Sequence, residues 1–107
     1  MKEKEIPLEK VFWSLFQEKN LLGSNDCTNK CGRYLRALVS EGHKAEILIV
    51  MPHRTRFLHA IIKLYHDEKC IYLDPTRGVI SHDLAGFGFL QKTINHAQLT
   101  KLGPDYE

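Results

Sequence analysis

Apolar residues recur at two different periods along this chain, and the change of period divides it. Near the start, Leu8, Val11, Phe12, Leu15 and Phe16 repeat at three- and four-residue spacing, the stripe of an α-helix. Pro7 suits the first turn of a helix, where its missing N–H costs nothing. A helix is therefore predicted from about residue 7 to 20, ending before Gly23. Trp13 falls at the side of the stripe, a packing position. A second stripe runs through Cys27, Cys31, Tyr34, Leu35, Leu38 and Val39. Ser24, Asn25 and Asp26 ahead of it cap helices well, and Gly42 after it is a natural stop. This pattern predicts a helix over residues 26–41, with Cys27 in its first turn on the side facing the core.

After Gly42 the pattern becomes strand-like. Ala45–Met51 reads as a buried strand and Pro52–Arg56 as a loop. Phe57–Tyr65 reads as a strand with Leu58, Ala60, Ile62 and Leu64 on the core face, and His59, Ile61, Lys63 and Tyr65 on the other. His66-Asp67-Glu68-Lys69 is a polar turn, and Cys70–Asp74 a third strand stopped by Pro75. The closeness of the two strands predicts an antiparallel hairpin. His59 and Asp74 stand nearly equidistant from its turn, so they are expected near each other on neighbouring strands. Val79-Ile80 extends this strand or adds another. Ser81-His82-Asp83 can cap a short helical turn, Leu90–Leu99 fits strand or helix, and residues 103–107 are expected to be loose.

These elements predict one α+β domain spanning residues 1–107: N-terminal helices, including the one bearing Cys27, packed on a small antiparallel β-sheet. A chain of 107 residues with 43% apolar content suits a single core. No apolar run approaches the roughly 18 residues of a membrane span. The charged start Met1-Lys2-Glu3-Lys4-Glu5 leads into no apolar stretch, so no secretory signal is expected. With 15 basic and 13 acidic residues the charge is nearly balanced. No nucleic-acid partner is expected, since that needs a clustered basic face. The local group Lys44, His53, Arg54, Arg56 and Lys63 reads as a solvated loop and strand face. Three cysteines, an odd number, without a signal argue for a reducing, cytoplasmic setting and against a disulfide framework. Cys27 and Cys31 share a helix face but have no further ligands at metal spacing, so neither metal nor cofactor is expected.

Three residues suit a catalytic group. Cys27 opens a helix, where the unpaired N–H groups and the helix dipole favour a thiolate. His59 can take and return a proton, and Asp74 can orient the imidazole and stabilise its charged form. Taken singly, each has an ordinary structural explanation: a buried thiol, a strand histidine, an Asp-Pro turn. Cys31 and Cys70 read as structural, and His53, His66, His82 and His96 as surface or loop residues.

Together the residues resemble the transglutaminase-like family, the papain-related superfamily of cysteine proteases, amidases and protein cross-linking enzymes. That family shows a Cys opening a helix, a Gly about fifteen residues on, a strand beginning His-Ala and a strand ending Asp-Pro-Thr. Here Asn25-Asp26-Cys27, Gly42, His59-Ala60 and Leu73-Asp74-Pro75-Thr76-Arg77-Gly78 stand in that order. The step Gly42-His43-Lys44-Ala45-Glu46 resembles the family's Gly-Ile-Pro-Ala-Arg entry into a strand. The resemblance covers residues about 24–78. It implies Cys27 as nucleophile, His59 as general base and acid, Asp74 as orienter, and a peptide or protein substrate cleaved or transferred at an amide through an acyl-enzyme. Backbone N–H groups at the start of the Cys27 helix can stabilise an oxyanion on an attacked carbonyl, and Gln17 and Asn25 are candidate side-chain amide donors to it. Ile61 stands where the family often has an aromatic residue, and Lys63 where it often has an acid. The rival expectation is the same fold without catalysis, a module that binds a peptide or protein. Oligomeric state is left open.

Overall fold

The computed structural model describes the backbone of residues 6–21, 26–53 and 57–102. Asn25, Arg54, Arg56 and the tail 103–107 lie outside the described residues. The elements are α1 (Glu9–Gln17), α2 (Cys27–Ser40), β1 (Lys44–Met51), β2 (His59–His66), β3 (Lys69–Asp74), β4 (Val79–Ser81), a 3₁₀ turn (Leu84–Phe87), β5 (Phe89–Asn95) and α3 (His96–Leu102). The fold is a small α+β arrangement of three helices on one five-stranded antiparallel sheet of order β4-β3-β2-β1-β5.

Helix α1 is shorter than its apolar stripe. It begins after Leu8, whose backbone is left-handed (φ 56°), so Pro7 sits ahead of the helix. There its carbonyl accepts a 2.9 Å bond from the Tyr34 hydroxyl. The helix ends at Gln17 because Glu18 turns extended. The Lys30 ammonium, 1% exposed, donates to the Glu18 carbonyl at 2.8 Å and so satisfies the helix end. Helix α2 is capped by Asp26, which accepts from the Thr28 and Asn29 amides while Asn29 accepts from the Asp26 amide. This reciprocal pair sets where α2 starts and therefore where Cys27 sits. At the other end, bonds from Gly42 to Val39 and from His43 to Leu38 close the helix.

The main core lies between the helices and one sheet face. It joins Phe12 and Leu15 of α1, Cys31, Tyr34, Leu35 and Leu38 of α2, and Ala60, Ile62, Leu64 and Leu73 of the sheet. Ala60, Ile62 and Leu64 take the core face that their alternation predicts, while Leu58 lies outside β2 and is 56% exposed. The opposite face is not simply solvated. Ile61 is fully buried there with Leu48 and Val50, under Leu84 and Phe87 of the 3₁₀ turn and Tyr72. The two-sided burial comes from a crossover that sequence periodicity does not show. After β4, at one edge of the sheet, the chain crosses that face through the 3₁₀ turn to become β5 on the far edge, beside β1. Gly88 permits the crossing: with φ 124° it lies so close to Met51 that a Cβ would fall 2.2 Å from the Met51 carbonyl oxygen. The ambiguous stretch 90–99 divides at residue 95, with strand before and helix after. Among the described residues no helix is long and apolar enough to cross a membrane, and all three cysteines are free.

Candidate active site

The β2–β3 hairpin brings the histidine and the carboxylate together. Its turn is the two-residue loop Asp67-Glu68, with φ 50° and 66°, between the paired residues His66 and Lys69. Two left-handed residues match the right-handed twist of the strands. The register pairs Ile62 with Leu73. Continued by one step, it puts Asp74 across from Ile61, so His59 and Asp74 are diagonal neighbours on one face. Their side chains close the gap: His59 Nε2 and Asp74 Oδ2 are 2.7 Å apart, with Asp74 1% exposed.

Asp74 is held from behind by its own turn. Its Oδ1 accepts from the Thr76 and Arg77 amides, both at 3.0 Å, and its carbonyl accepts from Gly78 at 2.8 Å. The two amides fix Oδ1 and with it the plane of the carboxylate, which leaves Oδ2 aimed at His59. Helix α1 backs the turn. A Cβ on Gly78 (φ 71°) would lie 3.0 Å from the Phe16 ring and 3.1 Å from Trp13. Trp13 and Phe16 pack edge to face, centroids 5.7 Å apart. Gly78→Ala is expected to cost about 1–2 kcal/mol, from the left-handed backbone and the crowding together. A urea titration checks this: the midpoint falls with the slope unchanged. A loss below about 0.5 kcal/mol, the ordinary surface value, would show that the turn is not clamped.

Cys27 is the first residue of α2 and is partly buried. Burial alone raises its pKa. That effect is outweighed by hydrogen bonds from the His59 ring and the Ala60 backbone N–H, by the His59 charge and by the Thr28 hydroxyl, so the thiol's pKa is lowered from its ordinary value. Burial likewise favours neutral His59, but its bonds to Asp74 and Cys27 and their charges prevail, and its pKa is pushed up to about 9. Both shifts favour a thiolate–imidazolium pair at neutral pH. Since Asp74 takes Nε2, Nδ1 is the ring nitrogen left for the sulfur. Cys31, one helical turn deeper, behaves oppositely. Complete burial, with the negative charges of Asp74, Cys27 and Asp26 around it, pushes its thiol well up and keeps it neutral.

The structure thus brings Cys27, His59 and Asp74 into one contact chain. Gln17 is exposed at the last position of α1, and Asn25 lies outside the described residues. Of the backbone N–H groups at the start of α2, the Cys27 N–H stands apart. The Thr28 and Asn29 amides are bound by the Asp26 carboxylate, and Lys30 N–H by the Asp26 carbonyl. Among the described residues the Cys27 amide is the first-turn donor left open, and a backbone N–H on the nucleophile itself is a group able to donate to an oxyanion. The Ala60 N–H and the Thr28 hydroxyl, by contrast, were hidden from sequence reasoning. The only signal for Ala60 was its place beside His59. Among the described residues no group of three or more His, Cys, Asp or Glu could hold a metal ion. Comparison with family models, curated proteins and solved structures found no match to this chain.

Proposed function

We propose that this protein is a cysteine-dependent acyl-transfer enzyme of transglutaminase-like type, with a papain-like core, that cleaves or transfers at an amide of a peptide or protein. The observation that carries the reading is the contact chain from Cys27 through His59 to a carboxylate held by three donors. In the first step the Cys27 thiolate attacks the carbonyl carbon, forming a C–S bond and an oxyanion that the Cys27 N–H can bind. Collapse breaks the C–N bond, and the leaving amine takes a proton from the His59 imidazolium. Water, or a second amine, then attacks the thioester while His59 accepts its proton. The acyl group leaves as an acid or a new amide, and the thiolate is restored. Asp74 keeps the ring oriented through both steps and stabilises its charge.

Cys70 supplies an internal control, since it is also a free, partly exposed thiol. At pH 7, iodoacetamide is expected to label Cys27 roughly ten-fold faster than Cys70, measured by site-resolved mass spectrometry. p-Nitrophenyl acetate is expected to leave an acetyl thioester on Cys27 that turns over. Equal labelling of the two thiols, with no acetyl-enzyme, would instead favour a binding module that keeps the same fold.

A further inference from the structure

His59 is reached from two sides. Cys27 meets it from the helix layer, and on the side of the 3₁₀ turn a cavity of about 180 Å³ opens against the His59–Asp74 pair. Val79 and Phe87 give this cavity apolar walls, and Arg77 and Ser81 give it polar ones. Its volume suits one medium-sized side chain or a small acid. The polar groups around it are not equally available. The Asp74 carboxylate is bound by His59, Thr76 N–H and Arg77 N–H. The Ser81 hydroxyl is occupied in its own turn, accepting from the Asp83 amide at 3.0 Å. The Asp83 carboxylate caps the 3₁₀ turn by accepting from Ala85, and it does not line the cavity. The Arg77 side chain differs: among the described residues its guanidinium has no ion pair or hydrogen-bond partner. Its backbone is fixed by the bond to Asp74, so the base of the side chain is anchored beside the reacting histidine. Gly86 also lines the cavity, and a Cβ there would meet nothing within 4 Å, so this wall leaves room for a ligand.

The charges of His59, Asp74 and the Cys27 thiolate are taken up in their own contact chain, which leaves the Arg77 guanidinium as a cation bordering the cavity with no partner among the described residues. A planar guanidinium is matched in geometry by a carboxylate, which it can bind through two parallel bonds. We propose that this cavity is a recognition pocket for a carboxylate of the substrate, bound by Arg77 against the Val79 and Phe87 walls. The proposal rests on reading Cys27, His59 and Asp74 as an acyl-transfer site. It makes the enzyme selective for an acidic group close to the amide it attacks.

Three small probes test it: N-acetylglutamic acid α-amide, which carries a side-chain carboxylate; its isomer N-acetylglutamine, which carries a terminal one; and the uncharged N-acetylglutamine α-amide. Binding is read by NMR from the His59 ring and Arg77 guanidinium signals, a measurement independent of any chemistry at Cys27. At least one carboxylate probe is expected to bind ten-fold or more tightly than the uncharged one, and which of the two does so identifies the source of the acid. Arg77→Gln is expected to erase the preference and Arg77→Lys to retain part of it. No binding by either acid, equal binding of all three probes, or an unchanged preference in Arg77→Gln overturns the proposal. Because Cys27 labelling in the unaltered protein is measured separately, a failed pocket and a failed catalytic reading are told apart.

Discussion

Replacing His59 with alanine is expected to lower turnover of p-nitrophenyl acetate by roughly a thousand-fold or more, the scale seen when one member of a catalytic triad is removed. Two losses combine. The imidazole no longer moves protons in either step, and the thiolate loses its main partner. The second loss can be measured alone with iodoacetamide. An ordinary thiol is only about 3% ionised at pH 7, given an unperturbed pKa of about 8.5. Allowing for the weaker nucleophilicity of a low-pKa thiolate, labelling of Cys27 is expected to slow roughly ten-fold. The pH dependence follows from the two shifts. The Cys27 pKa is lowered, so the thiolate is already present below the ordinary range of a thiol. The His59 pKa is raised from 6.5 to about 9, so the imidazolium survives until the pH passes about 9. Turnover of a peptide amide, whose leaving amine needs a proton, is therefore expected to rise as Cys27 ionises and to fall through about pH 9 as His59 loses that proton. The contribution to stability has the same upper limit. A raised histidine pKa stabilises the fold fully below about pH 6.5, and that stabilisation is lost as pH climbs through about 9. An unaltered labelling rate in His59→Ala would remove the ion pair and, with it, the proposed mechanism.

The second large effect concerns the joint between α1 and α2. Phe12 is fully buried, edge to face with Trp13 at 4.8 Å and tilted against Tyr34 at 5.8 Å. Phe12→Ala removes a ring from a closed space and is expected to cost about 3–5 kcal/mol. That is a large part of the roughly 5–15 kcal/mol by which a domain this size is stable. At about 4 °C per kcal/mol, the melting midpoint is expected to fall by roughly 12–20 °C. Calorimetry on Phe12→Ala and Phe12→Leu checks this, and the leucine variant is expected to recover more than half of the loss. A fall below about 5 °C would mean that α1 adds little to the core. Helix α1 also backs the Asp74 turn through Trp13 and Phe16, so its loosening is expected to reach the site before the sheet melts.

Local physics made much of the fold readable. The Cys27–Val39 stripe, the Asp26 cap and the stop at Gly42 place α2 to within a residue, because each acts within a few positions of the chain. The polar turn at Asp67-Glu68 likewise fixes the β2–β3 hairpin. The same stripes overran at α1. The Glu18 carbonyl finds its partner in Lys30, twelve residues away, and no window on α1 contains that bond.

Sequence by itself determined which elements form, the antiparallel pairing of β2 with β3, and the order in which a thiol, an imidazole and a carboxylate follow one another. Only the tertiary structure decided that His59 and Asp74 meet on the diagonal, that the Ala60 N–H reaches the Cys27 sulfur, that Ile61 is covered from the second face, and that Arg77 borders a cavity beside the histidine. The division has one physical cause. Helix stripes, caps and tight turns are settled by interactions a few residues long. The protonation of Cys27 and His59, and the shape of the space around them, depend on desolvation and hydrogen bonds among segments that only the completed sheet and its crossover bring together.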